Sequence, residues 1–185
     1  MNHLATSKED ILAASRDLIK ENGWAAVSIR AVASRCSVSA GTIYNYYESK
    51  ADLLSDTIES IWHEIFFHPE DEQVFHDGES CISWIYERLE YGNRQFPGFF
   101  SLHSFGFMRD EKTSGKKRMM KTWGHILNGL CEVLENDPKV RADVFDQEFT
   151  EKKFADILFS LILVSMIRQD YDPSSVLMLV KKTLY

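Results

Sequence analysis

The chain has 185 residues, 44% of them hydrophobic and 26% charged, with only nine glycines and four prolines. That length and balance suit one or two globular units with their own core, and exclude a disordered, fibrous or staple-dependent protein. A formal charge of −7, from 21 Lys and Arg against 28 Asp and Glu, excludes blanket attachment to nucleic acid or anionic lipid but not a local cationic face.

Helical periodicity runs through nearly the whole chain and no strand hairpin is evident, so the expected class is all-α. Thr6 and Glu9 fit a capping box, and Ile11, Leu12, Ala14, Leu18 and Ile19 form the stripe of a first helix. Asn22-Gly23 ends that helix with a glycine suited to a left-handed cap, and Trp24 is expected behind the corner. Ser28, Ser39 and Ser49 each suit an N-cap, which predicts helices over 29–35 and 40–46 and a longer one from Lys50 to 67. Leu54, Ile58, Ile61 and Ile65 line one face of the longer helix, with Trp62 and Phe66 beside them. Past an acidic linker at Glu70–Glu72, helices are expected over 77–95, 98–110, 115–136, 150–169 and 173–184.

Residues 28–50 read SIRAVASRCSVSAGTIYNYYESK. Two short capped helices flank a turn at Cys36-Ser37-Val38, and Ile29, Val32, Ala33, Val38 and Ile43 supply small apolar contacts to hold them at an angle. That is the spacing of a helix-turn-helix, whose second helix enters the major groove. On that helix Ala40 and Gly41 are small enough for close backbone approach, Thr42 can bond a base edge or phosphate, and Asn45 can pair bidentately with adenine. Tyr44 and Tyr46 carry long-reach hydroxyls, while Ser28, Arg30 and Lys50 flank the helix as phosphate clamps. The charge distribution agrees: residues 1–50 hold six basic and five acidic groups, and the other 135 hold 15 and 23. Each residue alone is ordinary on an amphipathic helix. Tyr47 reads as core, Arg35 and Glu48 as solvated, and only the joint pattern points to DNA.

These segments resemble the tetracycline-repressor (TetR) family of bacterial transcription regulators. The matching elements are the first helix ending in ENGW, then SIRAVAS, VSAGTIYNYY and ESKADLL, across roughly residues 7–54. The resemblance implies an all-α chain: an N-terminal three-helix DNA-binding module with helix-turn-helix over 1–48, and a larger helical ligand-binding and dimerisation domain over 49–185. It implies that Ser28, Arg30, Ser39, Ala40, Gly41, Thr42, Tyr44, Asn45, Tyr46 and Lys50 face DNA. Two departures stand out. The family's turn is usually Ala-Gly where this chain has Cys36-Ser37, and a serine in a left-handed turn costs roughly 1 kcal/mol relative to glycine. A cationic or long polar residue is common in the family where Ala40 stands here.

Beyond the first four helices the resemblance is architectural, and implies a small-molecule cavity and a dimer through a four-helix bundle. The run FADILFSLILVSMI at 154–167 is apolar on nearly all sides and needs cover on more than one face. Phe154, Ile157, Leu158, Leu161, Ile162 and Ser165, with Val176, Leu177 and Val180, are the candidate interface of an isologous homodimer. Candidate ligand-binding residues are Trp62, Phe66, Trp84, Phe99, Phe100, His103, Phe107, Met108, Met120 and Trp123. Their apolar character favours an apolar effector.

Catalysis, metal and membrane are not expected. HEIFFH at 63–68 lacks the i and i+4 histidine pair of a zinc protease, and no GxGxxG, P-loop or GxSxG occurs. Cys36, Cys81 and Cys131 are isolated and read as thiols in a reducing compartment. The start MNHLATSKED has no apolar signal core and the longest apolar stretch is too short to span a bilayer, so a cytoplasmic location is expected. The expected partners are double-stranded DNA, a second copy of the chain and a small-molecule effector, with no cofactor. The function so implied is a ligand-responsive transcriptional regulator, a repressor released from a palindromic operator by its effector. An activator, or a dimeric binding module without DNA affinity, is the alternative.

Overall fold

The computed structural model describes residues 6–66, 75–100 and 114–185. Among them are eight α-helices and no strand: α1 Lys8–Asn22, α2 Ile29–Arg35, α3 Ala40–Tyr44, α4 Lys50–Phe66, α5 Gly78–Gln95, α6 Ser114–Asn136, α7 Glu151–Arg168 and α8 Ser174–Leu184. The expected helix over 98–110 lies almost wholly outside the described residues.

The helix starts follow local hydrogen bonding. Ser28 Oγ accepts from the Ala31 amide at 3.1 Å, Ser39 Oγ from Thr42 at 3.2 Å, and Ser49 Oγ from Asp52 at 3.2 Å. At α1 the box is shifted by one residue from expectation: Ser7 is the cap, and its reciprocal partner is Asp10. The end of α1 is Gly23, at φ 76° and ψ 175°. That extended region with positive φ is open to glycine almost alone.

The described residues fall into two compact units, 6–66 with 92–100 and 114–119, and 75–91 with 120–185. This division differs from a boundary at residue 48, because α4 is built into the core of the first unit. Leu53, Ile58, Ile61, Trp62, Ile65 and Phe66 of α4 are all buried. Glu64 receives Lys20 at 2.6 Å and Arg16 at 3.0 Å, binding α4 to α1. Around Trp62 an aromatic cluster closes: its ring centroid lies 5.6 Å from Phe66, 5.7 Å from Phe99 and 5.6 Å from Phe100, while Trp24 reaches Phe99 at 6.1 Å. Gly92 is what lets the last turn of α5 come so near. A Cβ there would stand 2.6 Å from Ile65 Cδ1 and 3.0 Å from Phe100 Cζ.

In the second unit the start of α5 is clasped. Asp137 is buried, and its Oδ2 accepts from the Gly78 amide at 2.8 Å and the Tyr185 hydroxyl at 2.6 Å. Beside it Asp77 caps Ser80 at 2.7 Å and meets Lys139 at 2.6 Å. Farther along α5, Tyr86 Oη lies 2.9 Å from Ser165 Oγ of α7. The Lys139 ammonium, with the Ser80 amide and hydroxyl, holds the Asp77 carboxyl down at about 2. A carboxyl lowered in the fold stabilises it above the unfolded value near 3.9, and that contribution drains away as pH falls toward 2. Asp77→Asn is expected to cost on the order of 1 kcal/mol at neutral pH, kept small because Lys139 is solvated and screened. The variant should also flatten the fall of stability between about pH 4 and pH 2; urea unfolding across that range would reject the assignment if the acid limb were unchanged.

Candidate nucleic-acid interface

The second helix of the pair is held from beneath. Ile43 is 0% and Tyr47 4% exposed, so both serve the core, together with Val32 and Ala33 of α2. The turn between α2 and α3 closes through the Val38 amide to the Ala33 carbonyl at 2.9 Å and the Ser37 amide to Ser34 at 3.1 Å. Ser37 sits at φ 57°, in the left-handed region. Ser37→Gly should therefore stabilise the chain by about 0.5–1 kcal/mol, left-handed strain less glycine's larger unfolded-state entropy. Chemical denaturation measures this, and a net loss would mean that the Ser37 side chain contributes more than its backbone costs.

With Ile43 inside, Gly41, Tyr44, Asn45 and Tyr46 are exposed, and Ala40 and Thr42 are half-buried. Hydroxyl bookkeeping narrows what they offer. Among the described residues Ser28 Oγ only accepts, which leaves its hydrogen available to donate. Ser39 Oγ and Thr42 Oγ1 are 3.0 Å apart and one donates to the other, so the pair presents a single free hydrogen. Tyr46 is exposed but engaged. Its hydroxyl donates to the Thr6 carbonyl at 2.5 Å, and a phenol has no second hydrogen for a phosphate.

Electrostatics picks out two cations. Lys8 pairs with Asp56, Arg16 and Lys20 with Glu64, and Arg35 with Glu21. Arg30, in the first turn of α2, and Lys50, opening α4, are exposed and have no ion pair among the described residues. Both flank α3 in sequence. Cys36 is half-buried, and burial, with the Asp10 charge adding, pushes its thiol up. That makes it a weaker nucleophile than a free cysteine.

Residues 11–57 match the family of bacterial regulatory proteins named for tetR. That match lies within the N-terminal helices. Over 48 residues the chain is 38% identical to the HTH-type transcriptional regulator UidR of Escherichia coli strain K12, a match that spans 26% of this chain and 24% of UidR. The TetR fold extends well beyond that segment. A TetR transcription regulator from Haloarcula marismortui superposes with a TM-score of 0.70 at 17% identity, covering 96% of this chain and 97% of that one. FadR from Bacillus subtilis, solved with stearoyl-CoA, superposes at 0.67 with 18% identity, covering 97% and 100%.

The candidate ligand residues separate. Trp62, Phe66, Phe99 and Phe100 come together in the first unit, each 6% exposed or less. Trp84 meets Phe75 tilted at 5.1 Å and Trp123 meets Phe159 edge-on at 5.9 Å, both within the second unit, and Met120 is 56% exposed. His103, Phe107 and Met108 lie outside the described residues. The candidate dimer residues also separate. Phe154, Leu158, Ile162, Val176 and Val180 are buried within one chain, Ser165 is engaged by Tyr86, and Leu161 and Leu177 are half-buried. Ile157 is exposed, and with it Val164, Ile167, Met178 and Leu179, four apolar positions absent from the sequence-based set. Helical periodicity within 154–167 could not single out Val164 and Ile167, since nearly every position there is apolar. Among the described residues no group of three or more His, Cys, Asp or Glu could hold a metal ion, and no helix is long and apolar enough to cross a membrane.

Proposed function

We propose that the chain is a DNA-binding transcription regulator that reads a two-fold-symmetric operator as a homodimer and is released by a small apolar effector. The observation that carries this reading is the α3 face of exposed Gly41, Tyr44 and Asn45 with half-buried Thr42, flanked by two exposed cations without an ion pair among the described residues, Arg30 and Lys50. In this reading Asn45, Thr42 and Tyr44 meet base edges, Ala40 and Gly41 admit the backbone, and Ser28, Ser39, Arg30 and Lys50 grip phosphates.

Pairing falls to the exposed apolar residues Ile157, Val164 and Ile167 of α7, with half-buried Leu161, and to Met178 and Leu179 of α8. Such a patch on a soluble domain suits a self-complementary interface. An apolar effector is supported by the aromatic wealth of α4 and of residues 96–100, and by the acyl chain held in FadR. Binding that disturbs the Trp62 cluster would move α4, to which α1 is tied through Glu64, and so respace the two α3 helices. A coupling of about 1–3 kcal/mol suffices for such release.

Selection of duplexes from a random pool by the purified full chain tests the reading. A recovered site with two-fold symmetry is expected, with binding that weakens steeply as salt rises. Failure to enrich any sequence would leave a binding module without DNA affinity, and an asymmetric site would reject the paired α3 helices.

A further inference from the structure

We infer that Tyr46 acts as a positioning residue rather than a DNA contact, holding the recognition helix in place through the start of α1. This rests on the DNA-reading function proposed above. The helix α3 has only five residues, Ala40–Tyr44. A segment that short lacks the internal hydrogen bonds to hold its own direction, so its pitch is set by what it leans on. From below it leans on Ile43 and Tyr47 in the core. From the side, the Tyr46 hydroxyl donates to the Thr6 carbonyl at 2.5 Å, across 40 positions of sequence.

That acceptor is itself held. Thr6 precedes Ser7, whose amide donates to Asp10 Oδ2 at 2.8 Å while the Asp10 amide donates to Ser7 Oγ at 3.1 Å. The next residue, Lys8, reaches Asp56 of α4 at 2.5 Å and stands 5.6 Å from the centre of the Tyr47 ring. Residues 6–8 thus join both the end of the recognition segment and α4. With its hydrogen committed, the Tyr46 oxygen has only lone pairs left, which a phosphate oxygen repels. Its contribution to recognition is the angle at which Thr42, Tyr44 and Asn45 meet the groove. Base-edge bonds demand that angle; phosphate contacts tolerate its loss.

Tyr46→Phe removes the hydroxyl alone, and two measurements on the full chain read the effect. In the free protein, amide hydrogen exchange at residues 42–47 should quicken several-fold in the variant, with exchange in α7 unchanged. On DNA, affinity for the duplex recovered from the random pool should fall about tenfold, the sum of one modest hydrogen bond lost in each of two protomers. Affinity for a mixed-sequence duplex should stay within about twofold and the salt slope should be unaltered. Equal losses on both duplexes would make Tyr46 a direct contact and overturn the proposal, as would unchanged exchange with unchanged operator affinity. A parent chain that binds neither duplex would instead overturn the DNA-reading function, while the exchange data still report whether the tie exists.

Discussion

Replacing Arg30 and Lys50 together by glutamine is expected to lower operator affinity about four-thousandfold at 0.1 M salt. The size follows from counterion release. Each phosphate neutralised contributes a slope of about −0.9 to log K against log salt, which at 0.1 M is roughly an eightfold gain per contact, and a dimer carries four such contacts. The double variant should also flatten the salt dependence by about three to four in slope, and it should do so on operator and mixed-sequence duplex alike. Neither side chain is buried or ion-paired among the described residues, so the fold should be unharmed. The other cations of this domain cannot substitute. Arg16, Lys20 and Arg35 are held by Glu64 and Glu21, and the chain as a whole is acidic. Filter binding or anisotropy across a salt series measures both quantities, and an unchanged slope would remove these residues from the interface.

Trp62→Ala should cost about 3–5 kcal/mol, the range for truncating a large buried aromatic. Trp62 is 2% exposed and touches Phe66, Phe99 and Phe100, which are themselves at 6% or less, so the void has no inward-moving neighbour to fill it. Against a total of about 5–15 kcal/mol, this brings the variant close to unfolding. Denaturant unfolding followed by far-ultraviolet circular dichroism reads it without relying on the lost fluorophore. The same number bears on the effector. A loss under about 1 kcal/mol would mean that the rings are loosely packed and leave room for a ligand among them. A full loss means that an effector must displace packed rings to act.

Some features of this chain are local and could be read directly from it. Ser28, Ser39 and Ser49 cap because a hydroxyl three residues ahead of an open amide satisfies it without help from the rest of the fold. The strained Ser37 was equally legible, since a helix-turn-helix needs a left-handed residue at that point whatever occupies it. The box opening α1 shows the limit. Thr6–Glu9 and Ser7–Asp10 have the same spacing and chemistry, and the second prevails in a fold where Thr6 gives its carbonyl to Tyr46.

Contacts readable in the chain's own order thus dictate that it is helical, where its caps lie, and that residues 28–50 form a helix-turn-helix. These depend on contacts between near neighbours. The tertiary structure decided which apolar residues of α7 turn inward and which are left outside, because Phe154 and Ile157 are equally hydrophobic and differ only in what stands against them. It decided why a glycine interrupts α5, at the point where Ile65 and Phe100 leave no space for a Cβ. It decided, too, that Tyr46 gives its one hydrogen to a carbonyl 40 residues away. A side chain's chemistry is written in its own code, but its partner is chosen only when distant segments are brought within reach.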